Sequence, residues 1–122
     1  MPATDQSLRE LQSLFVVCLG ELFRYATSSG FELTLAEGYV QNPRKTRAGT
    51  KVEDGVHKTG SLHYQRLALD LNLFVGGAFI ADGSHDAWRQ LGEFWEGLTP
   101  LARWGGRFRD ANHFSMAYGG RA

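Results

Sequence analysis

The first long segment with a regular hydrophobic pattern runs from Ser7 to about Ser28. Its apolar residues have the spacing of a helix with one buried face, and they are Leu8, Leu11, Phe15, Cys18, Leu19, Leu22 and Ala26. Ser7 and Glu10 have the spacing of a capping box, and Gly30 is a suitable stop. The pattern therefore predicts an amphipathic helix over this segment.

Three later segments have the pattern of strands. Residues 31–35 alternate apolar and polar positions with a period of two. Residues 67–75 alternate again, with four leucines on one face and Asp70 on the other. Residues 113–118 predict a last strand, on which His113, Ser115 and Ala117 share one face.

A second amphipathic helix is predicted from about Ser84 to Leu98, ended by Pro100. Its apolar stripe contains Trp88, Leu91, Phe94, Trp95 and Leu98. The pairs Gly76-Gly77 and Asp82-Gly83 predict turns before this helix. Residues 41–60 combine proline, glycines and mixed charge without periodicity, which predicts a long loop of the kind that is often functional.

These elements predict an α+β fold, in which a small antiparallel sheet is flanked by two main helices. A chain of 122 residues fits one domain and is long enough to bury a core without crosslinks. We therefore expect residues 1–122 to form a single domain. Cys18 lies in an apolar stretch, which predicts a core residue and no disulfide within the chain.

The charge balance and the first residues limit the partners and the compartment. Lys plus Arg and Asp plus Glu number 13 each, so no global basic field favours nucleic acid as a partner. The start MPATDQSLRELQ lacks the basic and apolar regions of a secretory signal, and no segment has the length of a membrane span. We expect a cytoplasmic monomer without stable membrane association, which leaves the cytoplasm only if another protein releases it.

Four residues in two short segments have the chemistry of a catalytic zinc site. His63 and Asp70 are seven residues apart, and His113 follows much later with Asp110 three residues before it. Zinc in hydrolytic enzymes takes three protein ligands from His, Asp or Glu and keeps a fourth position for water, whose pKa falls to about 7. His63, Asp70 and His113 supply that count, and Asp110 is then a carboxylate that can act as a base. The pattern predicts hydrolysis of amide bonds.

The spacing of these residues limits how the chain can bring them together. Seven residues cover roughly 23 Å as a strand and roughly 10 Å as a helix, so neither element brings His63 and Asp70 to one metal ion. The chain must bend between them, and we place the bend at residues 64–66. Asp110 and His113 are three residues apart, so one helical turn or a compact loop would bring them to the same side.

Two further histidines are alternatives to the three predicted ligands. His85 follows Gly83-Ser84 at a helix start, where a solvated residue of the first turn is the preferred interpretation. His57 lies in the long loop shortly before His63, where it could contact substrate or a developing oxyanion. Either of them could replace one of the predicted ligands.

The segments SLHYQRLALDLNLF, RWGGRF and DANHFS resemble a family of zinc peptidases that cut peptidoglycan peptides. The family contains D-alanyl-D-alanine carboxypeptidases and dipeptidases and phage L-alanyl-D-glutamate endolysins, and it shares a fold with lysostaphin-type peptidases and the hedgehog signalling domain. The resemblance covers about residues 31–118. It maps the family motif onto Ser61, His63, Ala68, Asp70, Asp110 and His113. It implies that His63, Asp70 and His113 bind zinc and that Asp110 is the catalytic acid and base.

The sequence departs from the family pattern at two places. Many members have glycine where this chain has Arg66, in the bend after His63. Many also carry an arginine for substrate binding after a Glu-Gly-Tyr stretch, but here residues 37–39 are followed by Val40. Three loop residues could replace that arginine, and they are Arg44, Arg47 and Gln41. The predicted substrate-binding residues are Ser61, His57 and Arg44.

The resemblance and the missing signal together predict an endolysin of the phage type, which waits in the host cytoplasm and acts on stem peptides in the periplasm. We expect residues 1–122 to be its single zinc peptidase catalytic domain, without a separate module for binding the cell wall. Three alternatives stay open. The chain could be a D-alanyl-D-alanine carboxypeptidase, or a catalytically weak zinc-containing module that binds the cell wall. A metal-dependent nuclease using Asn112 and His113 is less favoured, because the sequence has no basic patch for phosphate recognition.

Overall fold

The computed structural model describes residues 7–36 and 65–119. The elements in chain order are α1 (Leu8–Ser28), β1 (Phe31–Leu35), β2 (Ala68–Val75), β3 (Ala78–Phe79), α2 (Asp86–Glu96), β4 (Ala102–Trp104), a 3₁₀ helix (Gly105–Phe108) and β5 (His113–Met116). This combination of helices and a small sheet confirms the predicted α+β class. The predicted loop over residues 41–60 lies outside the described residues.

The five strands found in residues 7–36 and 65–119 form one antiparallel sheet with the order β1-β2-β5-β4, and β3 pairs with β2 beside this path. β2 and β3 are joined by Gly76 and Gly77, whose φ angles are 60° and 82°. Two consecutive positive φ angles are typical of the hairpin turn whose twist matches that of its strands. The predicted turn at the two glycines is therefore confirmed.

Helix α1 begins as predicted. The Glu10 N–H donates to Ser7 Oγ at 3.1 Å, and the Ser7 N–H donates to the Glu10 carboxylate at 2.9 Å. Hydrogen bonds from the Ser7 backbone N–H and from the Ser7 side chain to the carboxylate hold the pKa of Glu10 below its usual range. The predicted apolar face is buried at Leu11, Phe15, Cys18, Leu22 and Ala26. Burial raises the pKa of the Cys18 thiol, as expected for a core cysteine.

Helix α2 differs from its prediction at both ends. Its N-cap is His85, whose Nδ1 accepts a hydrogen bond from the Ala87 N–H at 3.0 Å, so His85 is not a residue of the first turn. The imidazole satisfies a backbone donor that the helix leaves unpaired. The helix ends at Glu96, and its C-cap Gly97 lies three residues before Pro100. Proline therefore does not end this helix.

The core lies between the two helices and one face of the sheet. Its centre is the aromatic pair Trp95 and Phe114, both fully buried, with ring centroids 5.8 Å apart in an edge-to-face arrangement. The ring of Phe15 on α1 approaches Trp95 at 5.7 Å. The indole N–H of Trp95 donates to the carbonyl oxygens of Arg103 and Ser115, each at 3.1 Å. These contacts fix α2 across strands β4 and β5.

Candidate metal centre and active site

Asp70 on β2 and His113 at the start of β5 are direct partners in the antiparallel register. The Leu71 N–H donates to the Asn112 carbonyl oxygen and the Met116 N–H donates to the Leu67 carbonyl oxygen. The hydrogen-bonded positions of the ladder are therefore 71 with 112 and 67 with 116. Asp70 and His113 occupy a position without ladder hydrogen bonds, where cross-strand side chains approach most closely.

The side chains of Asp70 and His113 meet. His113 Nδ1 lies 3.1 Å from Asp70 Oδ1, and the two side chains are 13% and 14% exposed. Two ligand atoms of one tetrahedral zinc, each bonded at about 2.0 Å, would lie about 3.3 Å apart. The observed separation and the donor types thus fit two ligands of one metal ion. A direct hydrogen bond between the two side chains accounts for the same distance.

The other predicted site residues, His63, Ser61, His57 and Arg44, lie outside the described residues. Within residues 7–36 and 65–119, no three side chains of His, Cys, Asp or Glu gather into a metal-binding group. The described structure therefore brings together two of the three predicted ligands, Asp70 and His113.

The chain turns at Gln65 and Arg66, directly before β2, where the bend after His63 was predicted. Arg66 has a φ of 62°, in the left-handed region that glycine occupies without strain. The Gln12 side chain on α1 donates to the Gln65 carbonyl oxygen at 2.8 Å and fixes the turn against the helix. A left-handed residue at position 66 agrees with a motif that has glycine there.

Asp110 lies in the compact turn between the 3₁₀ helix and β5. Its N–H donates to the Gly105 carbonyl oxygen at 2.8 Å, and its own carbonyl oxygen accepts from the His113 N–H at 3.0 Å. The compact connection predicted between Asp110 and His113 is therefore present. Asp110 is exposed, and its carboxylate accepts no hydrogen bond from any described residue. It is accessible to a substrate from solvent.

Trp104 and the two glycines after it shape the Asp110 turn. A β-carbon at Gly105 would overlap the Asp110 carbonyl oxygen and lie 2.7 Å from the His113 β-carbon. The indole N–H of Trp104 donates to the Ala111 carbonyl oxygen at 2.7 Å. The turn that carries Asp110 and leads to His113 is thus fixed by a close backbone approach and a buried hydrogen bond.

Ser115 is a buried polar residue on the same sheet face as Asp70 and His113, since it pairs with Ala68 two positions along the ladder. It is fully buried, and its Oγ has no hydrogen-bond partner among the described residues. The strand predicted over residues 113–118 already placed Ser115 on the same face as His113. Nothing in the sequence indicated that its hydroxyl would be unpartnered.

A cavity of about 320 Å³ borders the Asp110 turn. Asn72, Arg109, Asp110 and Asn112 supply its polar lining, and Phe79 and Trp88 belong to its apolar wall. A larger cavity of about 480 Å³ lies between α1 and β1. Among the described residues its lining is mainly apolar, with Glu32 as the one charged residue. The smaller cavity is the better candidate for a substrate site because Asp110 lines it, and because Leu71 and Asn112, the neighbours of Asp70 and His113 in the chain, line it in place of the pair itself. Sequence analysis missed Arg109, although it directly precedes Asp110.

Comparison of the chain with protein-family models and with curated proteins gave no match. No helix in the described part of the chain is long and apolar enough to cross a membrane. The functional interpretation therefore depends on the arrangement of Asp70, His113 and Asp110 and on the motif in which they occur.

Proposed function

We propose that this protein is a zinc peptidase that hydrolyses amide bonds in peptidoglycan stem peptides, as an L-alanyl-D-glutamate endopeptidase of the phage endolysin type. The observation that supports this best is the partly buried pair of Asp70 and His113, in which His113 Nδ1 and Asp70 Oδ1 are 3.1 Å apart. Both residues occupy motif positions that the family resemblance assigns to metal ligands. Imidazole nitrogen and carboxylate oxygen are also the donors that hydrolytic zinc sites use.

His63, Asp70 and His113 would hold the metal ion. Bound zinc supplies a Lewis acid for the scissile carbonyl and lowers the pKa of water into the neutral range. Asp70 and His113 are fixed for this role by the β2–β5 ladder, so the site would need little rearrangement on binding. Their low exposure strengthens the interaction with a cation, because water screens it less.

Asp110 is the proposed general acid and base. Its carboxylate takes a proton from the attacking water and delivers it to the amine that leaves when the amide bond breaks. An exposed carboxylate on a turn that ends at a ligand strand supports this role, because it is accessible while its backbone is held. A module that only bound zinc would not require such a carboxylate, which favours an enzyme over a binding module.

The proposed role of Asp70 and His113 as zinc ligands is tested by Asp70→Asn. This substitution keeps the size of the side chain and its ability to hydrogen-bond but removes a charged ligand. We expect about one zinc per wild-type chain by elemental analysis, and far less in Asp70→Asn after dialysis against a weak chelator. Asp82→Asn, which changes an exposed aspartate before α2, is the matched control and should keep its zinc. Equal zinc in Asp70→Asn, or a metal-free wild type with full activity, would contradict the proposal.

The bond that is cut is identified by mass spectrometry of fragments released from purified Gram-negative peptidoglycan. Cleavage between L-alanine and D-glutamate leaves a new amino terminus on D-glutamate, whereas a carboxypeptidase releases free D-alanine. New reducing sugar ends without new amino groups would show a glycosidase instead. Release of neither peptides nor D-alanine by the zinc-loaded protein would favour a wall-binding module.

A further inference from the structure

Arg109 is a charged residue at the cavity beside Asp110 that no described side chain neutralises. It lines the cavity of about 320 Å³ together with Asp110. It also lines a neighbouring cavity of about 350 Å³ that reaches Ser84 and Gly106. Arg109 is therefore common to two adjacent cavities, next to the proposed acid and base.

The other arginines of this region are engaged. Arg107 pairs with Glu96 at 2.6 Å, and its guanidinium lies 5.4 Å from the centre of the Trp104 ring. Arg103 donates to the carbonyl oxygen of Pro100, and Arg89 pairs with acidic residues on α2. The Arg109 guanidinium has no hydrogen bond or ion pair to the part of the chain that the structure describes. It retains the planar set of donors that binds a carboxylate through two parallel hydrogen bonds.

The backbone places Arg109 at a defined position. It is the C-cap of the 3₁₀ helix with a φ of 64°, and its N–H donates to the Gly105 carbonyl oxygen. The next residue, Asp110, is held by the same carbonyl oxygen. A ligand bound by Arg109 in the shared cavity would therefore lie close to the Asp110 carboxylate.

We propose that Arg109 binds a carboxylate of the substrate close to the cleaved amide, an inference that rests on the proposed function. In a stem peptide cut between L-alanine and D-glutamate, this group is the α-carboxylate of the glutamate on the leaving side. The apolar wall formed by Phe79 and Trp88 takes the aliphatic part of that residue. The site thus selects D-glutamate over D-isoglutamine, in which an amide replaces the α-carboxylate.

The test uses two stem tripeptides that differ only in this group, one with D-glutamate and one with D-isoglutamine. A charged hydrogen bond of about 1.5–3 kcal/mol corresponds to a preference of roughly tenfold to a hundredfold in kcat/KM. Arg109→Gln should remove that preference, mainly by raising KM for the D-glutamate peptide. Arg109→Lys should restore part of it. Arg107→Gln, two residues away, should keep the wild-type preference.

Binding without turnover separates this inference from the proposed function. N-acetyl-D-glutamate is titrated into the zinc-loaded protein while the backbone amide signals of Arg109 and Asp110 are followed by NMR. We expect saturable shifts in the wild type and in Arg107→Gln, and none in Arg109→Gln. If both peptides are cut equally well by the wild type and by Arg109→Gln, the role of Arg109 is wrong and the peptidase function stands. If nothing is cut but the shifts depend on Arg109, the carboxylate site stands and the peptidase function is wrong.

Discussion

The α-carbon of Gly105 lies against the carbonyl oxygen of Asp110, and no β-carbon fits between them. Gly105→Ala should therefore displace the turn that carries Asp110 and leads to His113. We expect a loss of about 1–3 kcal/mol in the free energy of unfolding. We also expect the activity of the protein that still folds to fall, because the displaced turn carries Asp110. Chemical denaturation and peptide release measure the two effects.

Gly20→Ala is the matched control for this substitution. Gly20 is an exposed residue within α1, and a β-carbon there meets nothing within 4 Å. Alanine should raise the free energy of unfolding by about 0.5–1 kcal/mol, because glycine loses more backbone entropy in a helix. Wild-type stability and activity in Gly105→Ala would show that the turn relaxes without cost.

Asp110→Ala should separate chemistry from metal binding. A group that only transfers protons contributes to the transition state and not to holding zinc, so the variant should fold and keep its metal. General acid and base groups are worth about 100- to 10,000-fold in rate, so turnover should fall at least by the lower factor. Zinc loss would instead make Asp110 a ligand. If zinc and activity both persist, the base is another residue, and His57 is the first candidate.

Arg66→Gly tests the left-handed turn before β2. Arginine at a φ of 62° carries a backbone cost of about 1–2 kcal/mol that glycine avoids, while glycine loses about 0.5–1 kcal/mol more entropy on folding. We expect the free energy of unfolding to stay the same or to rise by up to about 1 kcal/mol. Arg66→Val should lower it, since a β-branched side chain tolerates this conformation least. A loss on Arg66→Gly would indicate that the arginine side chain stabilises the fold.

Ser115→Ala removes a buried hydroxyl that has no partner among the described residues. Deleting an unsatisfied polar group should leave the free energy of unfolding, measured by chemical denaturation, unchanged or raise it by up to about 1 kcal/mol. Zinc content should not change. A clear loss of stability or of zinc would show that the hydroxyl donates to, or accepts from, a group near the ligand pair.

The sequence predicted the elements that depend on local chemistry. Helix α1 and its capping box follow from neighbouring residues, and the β2–β3 turn follows from two consecutive glycines. Strand β4 and the 3₁₀ helix were not predicted, because segments of three and four residues carry too little periodicity. The His85 cap was missed because an imidazole seldom takes that role.

The site was predicted as residue types and not as an arrangement. The motif indicated Asp70 and His113 as ligands, but their direct opposition depends on the β2–β5 register, which is set by long-range pairing. Arg109 has no periodic or motif signal of its own. Its proposed role follows from the cavity that it shares with Asp110, which exists only in the folded chain.

The 43 positions that separate Asp70 from His113 have a consequence for the order of folding. Helix α1 and the β2–β3 hairpin can form from nearby residues, whereas the two donors meet only after the chain has closed a long loop. An intermediate that lacks the β2–β5 ladder would hold at most one of them in place. Metal capture should accordingly slow unfolding more than it speeds folding, because it stabilises a contact that forms late.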